Sequence, residues 1–381
     1  MIEPFRIAVP EPVLADLRER LARTRWPSPS PLDPWAQGTA LDDLQSLCAH
    51  WREDFDWRPQ ERLLNGFAQA MVTVEGERLH VIHERSPHAE AQPLLLLHGW
   101  PGSVYEFYKL IPRLTRPEAH GGDPRDAFHV IAPSLPGYGW SPAPSRPGAT
   151  PRRFARLFAA LMQSLGYPRY GLQGGDWGAV IASWLALDIP ARVTALHLNM
   201  AGLRPPDGPG SPPLTEAEQA FIKQTRAMWN ERFGYFAIQA SRPQSLGYGL
   251  TDSPAGLAGW IVEKFRDWSD CRGDIESAFT RDELLANLTI YWVTGTIASS
   301  MRLYYEHQHG RDALAPGQRV EVPTGFADFP AEIVRPPRSW LERVYRLERY
   351  RQMPRGGHFA ALEQPALLAE DLSEFFGKYR P

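Results

Sequence analysis

Short runs of apolar residues alternate with amphipathic stretches through the middle of the chain. Runs of this length are typical of strands that are buried on both faces of a sheet. They are residues 94–97, 128–132, 170–173 and 193–198. Helical patterns over residues 154–165 and 179–187 separate the later runs. The alternation predicts an α/β protein that has a mainly parallel sheet with helices on both faces.

The pattern differs on either side of this region. Before it, residues 12–26 and 42–57 have the spacing of amphipathic helices, and residues 71–82 have the pattern of a β-hairpin. After it, residues 214–310 are mostly helical and rich in aromatic side chains, and Thr215 and Glu218 have the spacing of a capping box. Strand-like residues 319–322 and 347–353 then resume the sheet.

A helical block that interrupts a sheet in this way is typical of a lid. We therefore divide the chain into an N-terminal extension, a core in two pieces and a lid. These are residues 1–70, residues 71–202 with 311–381, and residues 203–310.

Composition excludes several classes of function. The 381 residues include 41 basic and 44 acidic side chains, a net charge of −3, and no basic block that would neutralise phosphates, so we expect no nucleic-acid partner. Cys48 and Cys271 make neither a disulfide framework nor a metal-ligand spacing. No segment has the roughly 18 consecutive apolar residues of a membrane span, and the first residues lack the pattern of a signal peptide. We expect a soluble, cytoplasmic protein.

A glycine-rich turn after the strand at 170–173 carries the strongest chemical signal. Gly174-Gly175-Asp176-Trp177-Gly178 has the spacing of a nucleophile elbow, G-x-nucleophile-x-G, between a strand and a helix. The central residue is aspartate, whose carboxylate can attack a saturated carbon and form an ester, whereas serine suits acyl transfer. An aspartate that only caps the helix is the alternative for this motif taken alone.

A second loop follows the strand at 94–97. His98-Gly99-Trp100-Pro101-Gly102-Ser103 stands where α/β-hydrolases donate one backbone N–H to an oxyanion, while the residue after the nucleophile donates the other. We therefore expect the amides of Trp100 and Trp177 to form the oxyanion hole. An ordinary strand-to-helix turn has the same composition, so this loop is informative only together with Asp176.

The third signal is a histidine near the end of the chain. His358, in Arg355-Gly356-Gly357-His358-Phe359, follows the last predicted strand. In α/β-hydrolases the chain order is nucleophile, acid, histidine, and the histidine that acts as the base lies at this position. The acid that orients it belongs between the lid and His358. Glu332 and Asp328 are both candidates, and the residues alone do not decide between them.

Together these motifs resemble epoxide hydrolases of the α/β-hydrolase superfamily, in the branch of the microsomal and juvenile-hormone enzymes. The resemblance covers nearly the whole chain. It rests on the two glycine-rich loops, the His358 loop and further blocks at residues 4–27, 252–258 and 291–296. It implies an α/β-hydrolase fold with a mainly parallel eight-stranded sheet, an N-terminal meander and an inserted helical lid. We expect the protein to lack the membrane anchor of the mammalian microsomal enzymes.

The resemblance also implies roles that the residues alone do not. Tyr235 and Tyr304 match the two ring-opening tyrosines, which hydrogen-bond the epoxide oxygen and supply a proton, and the neighbouring Tyr248 and Tyr305 are assigned no role. Glu332 matches the acid in the family's Phe-Pro-x-Glu pattern. The implied partners are a small apolar epoxide and water, with no cofactor and no metal. Which epoxide is used and the oligomeric state, a homodimer included, stay open.

Three alternative functions fit these residues less well. A haloalkane dehalogenase uses the same aspartate on the same fold, but Trp100 stands where many of them have Asn or Glu, and paired tyrosines suit an oxygen leaving group. A non-catalytic ligand-binding protein of the same fold has no need of Asp176, Glu332 and His358 together. A serine esterase is disfavoured because the chain has no G-x-S-x-G elbow.

Overall fold

A single mixed sheet forms the centre of the molecule. The computed structural model describes residues 1–206 and 211–380. Within them nine strands have the order β1-β2-β3-β5-β4-β6-β7-β8-β9. The strands are β1 Ile2–Pro4, β2 Gln69–Val74, β3 Glu77–Glu84, β4 Gln92–Leu97, β5 Phe128–Pro133, β6 Tyr170–Gly174, β7 Val193–Leu198, β8 Val320–Asp328 and β9 Tyr345–Gln352.

Fifteen α-helices are present in the same described residues. Those of the N-terminal part and the first core piece are α1 Glu11–Ala22, α2 Leu41–Glu53, α3 Trp57–Leu64, α4 Leu110–Thr115, α5 Pro151–Ser164 and α6 Asp176–Asp188. Those between β7 and β8 are α7 Glu216–Arg232, α8 Gly234–Ser241, α9 Pro243–Asp252, α10 Pro254–Asp267, α11 Arg281–Thr294 and α12 Ile297–His309. The last three are α13 Arg338–Glu342, α14 Ala360–Glu363 and α15 Pro365–Phe376.

The sheet is antiparallel at one edge and parallel elsewhere. β1, β2, β3 and β5 pair antiparallel, whereas β5, β4, β6, β7, β8 and β9 pair parallel. The sequence predicted eight strands, and the ninth is β1, in which Ile2–Pro4 pair with residues 70–72. Its three residues are exposed and too few to show an alternating pattern, so nothing in the sequence marked them as a strand.

Alternate side chains of the central strands fill two separate cores. In β4, Leu95 and Leu97 pack on the α5–α6 side, and Leu94 and Leu96 pack on the α4–α15 side. Because successive side chains of a strand point to opposite faces, a run of leucines fits a strand that is covered on both sides. The predicted two-sided arrangement is therefore confirmed, with the carboxyl ends of the parallel strands at one edge.

The N-terminal helices pack against the helical insertion, by which we mean α7–α12, residues 216–309. The Trp51 indole N–H donates to Thr289 Oγ1 at 3.0 Å, and Arg20 pairs with Asp252 at 2.8 Å. The helix predicted over residues 42–57 ends earlier, at Glu53, and a separate helix begins at Trp57, where Asp56 caps it by accepting from the Arg58 amide.

The helical insertion begins as the sequence predicted. Thr215 and Glu218 make both hydrogen bonds of a capping box at the start of α7. Of the predicted lid, residues 207–210 lie outside the described residues. Among the residues that the structure does describe, no helix has the length and apolar character needed to cross a bilayer.

Candidate active site

Asp176 lies in a tight turn between β6 and α6. Its φ angle is +47°, a left-handed conformation that is uncommon for a residue other than glycine and that marks a constrained turn. The flanking glycines are required by close packing, since a Cβ at Gly178 would overlap the Leu97 carbonyl and one at Gly174 would overlap the Gly178 carbonyl. The elbow predicted from the sequence is present, and it holds the Asp176 carboxylate at the carboxyl edge of the sheet.

The loop after β4 reaches the same carboxylate. The Trp100 amide donates a hydrogen bond to Asp176 Oδ1 at 2.8 Å. Trp177 is the second residue of α6, so its amide is among the helix N–H groups that have no acceptor within the helix. The two predicted oxyanion donors therefore flank Asp176, and the Trp100 contact is a direct hydrogen bond.

His358 lies between two carboxylates. Its Nδ1 is 2.8 Å from Glu332 Oε1, and its Nε2 is 3.3 Å from Asp176 Oδ2. Burial by itself lowers the pKa of His358, but the charges of Glu332 and Asp176 outweigh it and hold the pKa well above its ordinary value. Such an imidazole is protonated while both carboxylates are charged, and loss of charge on Asp176 would weaken its hold on the proton.

Asp328, the other candidate acid, belongs to a different cluster. Its two carboxylate oxygens each lie 2.7 Å from the Arg335 guanidinium, and Oδ2 also accepts from the Tyr350 hydroxyl at 2.8 Å. Glu332 is thus the carboxylate that contacts His358, and Asp328 ties the end of β8 to the following loop.

Two buried tyrosines from the helical insertion lie above Asp176. Tyr235 of α8 and Tyr304 of α12 line a cavity of about 880 Å³, and Asp176 lines it too. Burial raises the pKa of both phenols well above the ordinary value, so each remains a proton donor. Among the described residues the Tyr304 hydroxyl has no hydrogen-bond partner. Tyr248 and Tyr305, in contrast, are 70% and 39% exposed.

Aromatic contacts hold these tyrosines in place. The Tyr235 ring stacks on Trp100 with centroids 5.5 Å apart, and the Tyr304 ring meets Trp177 edge to face at 4.7 Å. The same two tryptophans supply the amides beside Asp176. The phenols and the two loops beside Asp176 are therefore packed as one unit.

The helical insertion also supports the histidine loop, which sequence reasoning missed. The His358 amide donates to the Trp268 carbonyl at 2.8 Å, and the Gly356 amide donates to Asp270 Oδ2 at 3.0 Å. Glu363 accepts from the Asp270 amide at 2.9 Å. The two partners in these contacts lie 86 to 93 positions apart in the sequence. No motif links them, so only the folded chain identifies the contacts.

The described residues hold no group of three or more His, Cys, Asp or Glu side chains arranged to bind a metal ion. Cys48 and Cys271 are both buried free thiols. Burial raises the pKa of Cys48 to about 12, which keeps it an unreactive thiol.

Comparisons with known proteins agree with this site. Residues 2–107 match the family described as epoxide hydrolase N terminus, and residues 92–251 match the alpha/beta hydrolase fold. Epoxide hydrolase 1 of Oryctolagus cuniculus is 38% identical over 404 residues, which cover 99% of this chain and 89% of that one.

Solved structures extend the similarity to the whole fold. The juvenile hormone epoxide hydrolase of the silkworm Bombyx mori superposes with a TM-score of 0.86 at 35% identity, covering 100% of this chain and 94% of that chain. The epoxide hydrolase of Aspergillus niger superposes with a TM-score of 0.87 at 30% identity, covering 100% and 97%.

The sheet order, the elbow and the histidine after the last strand define an α/β-hydrolase whose nucleophile position holds an aspartate. Full-length identity and the match to the N-terminal family narrow this class further. The chain belongs to the epoxide hydrolase family, in the branch that includes the microsomal and juvenile-hormone enzymes.

Proposed function

We propose that this protein hydrolyses an epoxide to a vicinal diol through a covalent ester on Asp176. The observation that carries the proposal is the position of Asp176. One of its oxygens accepts from the Trp100 amide, the other faces His358, and the carboxylate lines a cavity together with two buried phenols. A carboxylate opposite two proton donors suits a reaction in which a carbon–oxygen bond opens between them.

The first step opens the ring. Tyr235 and Tyr304 hydrogen-bond the epoxide oxygen while Asp176 Oδ2 attacks a ring carbon from the other side. The carbon–oxygen bond of the ring breaks, and a tyrosine proton moves to the oxygen as it gains charge. The buried phenols hold that proton firmly until an alkoxide forms, because their pKa values are raised by burial.

The second step releases the diol. The ester carries no charge on Asp176, so one of the two groups that raise the pKa of His358 is lost and that pKa falls. The imidazole then gives up its proton, which returns through solvent to the tyrosinate left by ring opening, and the neutral imidazole can act as a base. His358, oriented by Glu332, then takes a proton from water as the water attacks the ester carbonyl carbon. The Trp100 and Trp177 amides stabilise the oxyanion, and the diol leaves with one oxygen that came from Asp176.

The cavity favours an apolar substrate of moderate size. Aliphatic and aromatic side chains from α6, α7, α8 and α12 line much of it. Burial of apolar surface contributes most of the affinity in such pockets. We further propose that residues 203–310 act as a lid over the core at 71–202 and 311–381, behind an extension at 1–70, and that the protein is cytoplasmic.

A panel of epoxides tests the activity. We expect diol from at least one of styrene oxide, cyclohexene oxide and a long-chain terminal epoxide, measured by mass spectrometry. A haloalkane panel belongs in the same assay, because the buried Trp177 indole N–H has no partner among the described residues and could donate to a halide. Halide release without any diol would contradict the proposal and favour a dehalogenase, and ligand binding without either product would favour a non-catalytic protein.

Removing the phenols should slow ring opening specifically. We expect Tyr235→Phe and Tyr304→Phe each to lower kcat/KM by about 10- to 100-fold, and the double variant by about 10³-fold or more, since proton donation of this kind contributes on this scale. The measurement is the rate of ester formation after rapid mixing. Tyr248→Phe is the matched control, since that side chain is 70% exposed. A double variant that forms the ester at the wild-type rate would remove both phenols from the mechanism.

A further inference from the structure

A second, much smaller cavity lies on the core side of Asp176. We call it the rear chamber, and its volume is about 20 Å³. Its polar lining residues are His98, Glu106, Gln173, Asp176, Asn199 and His358. Of the residues that the structure describes, Asp176 alone lines both this chamber and the large cavity beneath the tyrosines. The carboxylate therefore separates two compartments.

The rear chamber has the size and polarity of a site for one water molecule. A cavity needs on the order of 10–15 Å³ and two to four polar partners to hold a water. Gln173 is 2% exposed, and its Nε2 donates to Asn199 Oδ1 at 2.8 Å. Its Oε1 is also buried and has no partner among the described residues. A buried acceptor without a donor is costly, and a water in the chamber would satisfy it.

Glu106 and His98 are the titratable groups of this chamber that the two proposed steps leave without a role. Both ring nitrogens of His98 already have backbone partners, the Gly99 carbonyl at 3.0 Å and the Leu135 amide at 3.1 Å, so Glu106 is the one available to a water. Its carboxylate packs directly against Gly102, where a Cβ would overlap Glu106 Oε1. Burial, together with the charge of Asp176, raises the pKa of Glu106 to about 8, although His358 opposes the shift. A carboxyl group beside Asp176 and His358 can bind water, since in its protonated form it both accepts and donates hydrogen bonds.

The ester itself creates the need for such a site. Once Asp176 is alkylated, the organic group occupies the large cavity, so water cannot approach the ester carbon freely from that side. A water already held in the rear chamber would lie next to both the ester carbonyl and His358. Holding a reactant in place before the reaction can replace a large entropic part of the barrier.

We propose that the rear chamber holds the water that hydrolyses the ester, and that Glu106 is a positioning residue for it, assisted by Gln173. The inference rests on the proposed function. The water oxygen bonds to the ester carbonyl carbon, one water proton passes to His358 Nε2, and the other remains hydrogen-bonded to Glu106 or Gln173 Oε1. The bond between that carbon and the alkyl oxygen then breaks, and the diol oxygen takes the proton from His358. Asp176 is left as a carboxylic acid, and its proton passes to His358 Nε2, so both groups return to their starting charges.

The test separates ester formation from ester hydrolysis. In Glu106→Met the shape is nearly kept and the polar atoms are lost, so we expect hydrolysis to slow by about 10²-fold, the scale of misplacing a reactant. Ester formation should keep its wild-type rate. In steady state kcat and KM then fall together while kcat/KM is unchanged, and the ester accumulates on the protein. Rapid mixing followed by quenching and intact-mass measurement gives both rates.

Two further variants distinguish positioning from other effects. Glu106→Gln keeps hydrogen-bonding atoms in the chamber, so it should recover most of the hydrolysis rate. Glu363→Gln is the matched control. Glu363 is also a partly buried acid near His358 whose pKa is raised to about 7, but its carboxylate accepts from the Asp270 and Phe359 amides. We expect Glu363→Gln to leave the ratio of the rate of ester hydrolysis to the rate of ester formation as in the wild type.

Three results would overturn the inference. They are wild-type hydrolysis in Glu106→Met, an equal loss of ester formation and hydrolysis in that variant, and selective loss of hydrolysis in Glu363→Gln of the same size. Absence of ester and diol in the wild-type protein with every epoxide of the panel would instead contradict the proposed function itself. Failure of the inference would therefore be seen in the variants, whereas failure of the proposed function would be seen in the wild-type protein.

Discussion

Replacing His358 with glutamine is expected to stop turnover after the first chemical step and leave the substrate on Asp176 as a stable ester. In the proposed mechanism ring opening uses the Asp176 carboxylate and the phenols of Tyr235 and Tyr304, and this variant keeps all three. In the proposed second step a base takes a proton from water beside the ester, and His358 Nε2 lies 3.3 Å from Asp176 Oδ2. Glutamine is of similar length but cannot take a proton.

The expected loss of kcat is about 10⁴-fold or more, the scale seen when a member of a catalytic triad is removed. Intact-mass measurement should show one substrate added per protein molecule, and peptide mapping should place it on Asp176. A His358→Gln variant that turns over at the wild-type rate would remove His358 from the mechanism.

A pair of carboxylate variants provides the matched control. Glu332→Gln removes the charge 2.8 Å from His358 Nδ1, so it should slow hydrolysis and let the ester accumulate in part. Asp328→Asn breaks the contacts with Arg335 and Tyr350 instead. We expect that change to lower the thermal stability of the protein and to leave the rate of ester hydrolysis close to that of the wild type.

The comparison between sequence and structure shows which features leave a local signal. The elbow at Asp176 could be predicted because its backbone admits only glycine at 174 and 178, and the buried strands because a sheet covered on both faces requires apolar runs. Features that constrain the backbone locally, or that follow a fixed order along the chain, thus appear in the sequence as motifs.

Features that depend on contacts between distant segments left no such signal. Glu332 and Asp328 are four positions apart, and what separates them is that Arg335 and Tyr350 neutralise and hold Asp328. Glu106 is one of many acids in the sequence, and only the fold brings it beside Gln173 and Asn199 in the rear chamber. The exposed edge strand at Ile2–Pro4 was missed because three residues are too few to show the alternation of apolar and polar positions that marks a strand.

The origin of the oxygen in the diol provides the second large test, because the two-step route makes an unusual prediction about it. With enzyme in excess, one turnover in ¹⁸O-labelled water should give a diol without label, since the new oxygen comes from the Asp176 carboxylate. The label should appear in the peptide that carries Asp176, because water attacks the carboxyl carbon and one of its oxygens stays there. After many turnovers the diol should become labelled as the exchanged carboxylate is used again.

Asp176→Ala removes the atom that forms the ester, so we expect kcat/KM to fall by at least about 10⁴-fold and no covalent adduct to form. Asp252→Ala is the matched control, since that carboxylate is 82% exposed and pairs only with Arg20 among the described ion pairs. Label in the diol of the first turnover would mean that water attacks the epoxide directly. In that case Asp176 would act as a base for water, and the hydrogen bond from the Trp100 amide would stabilise a carboxylate and not an oxyanion.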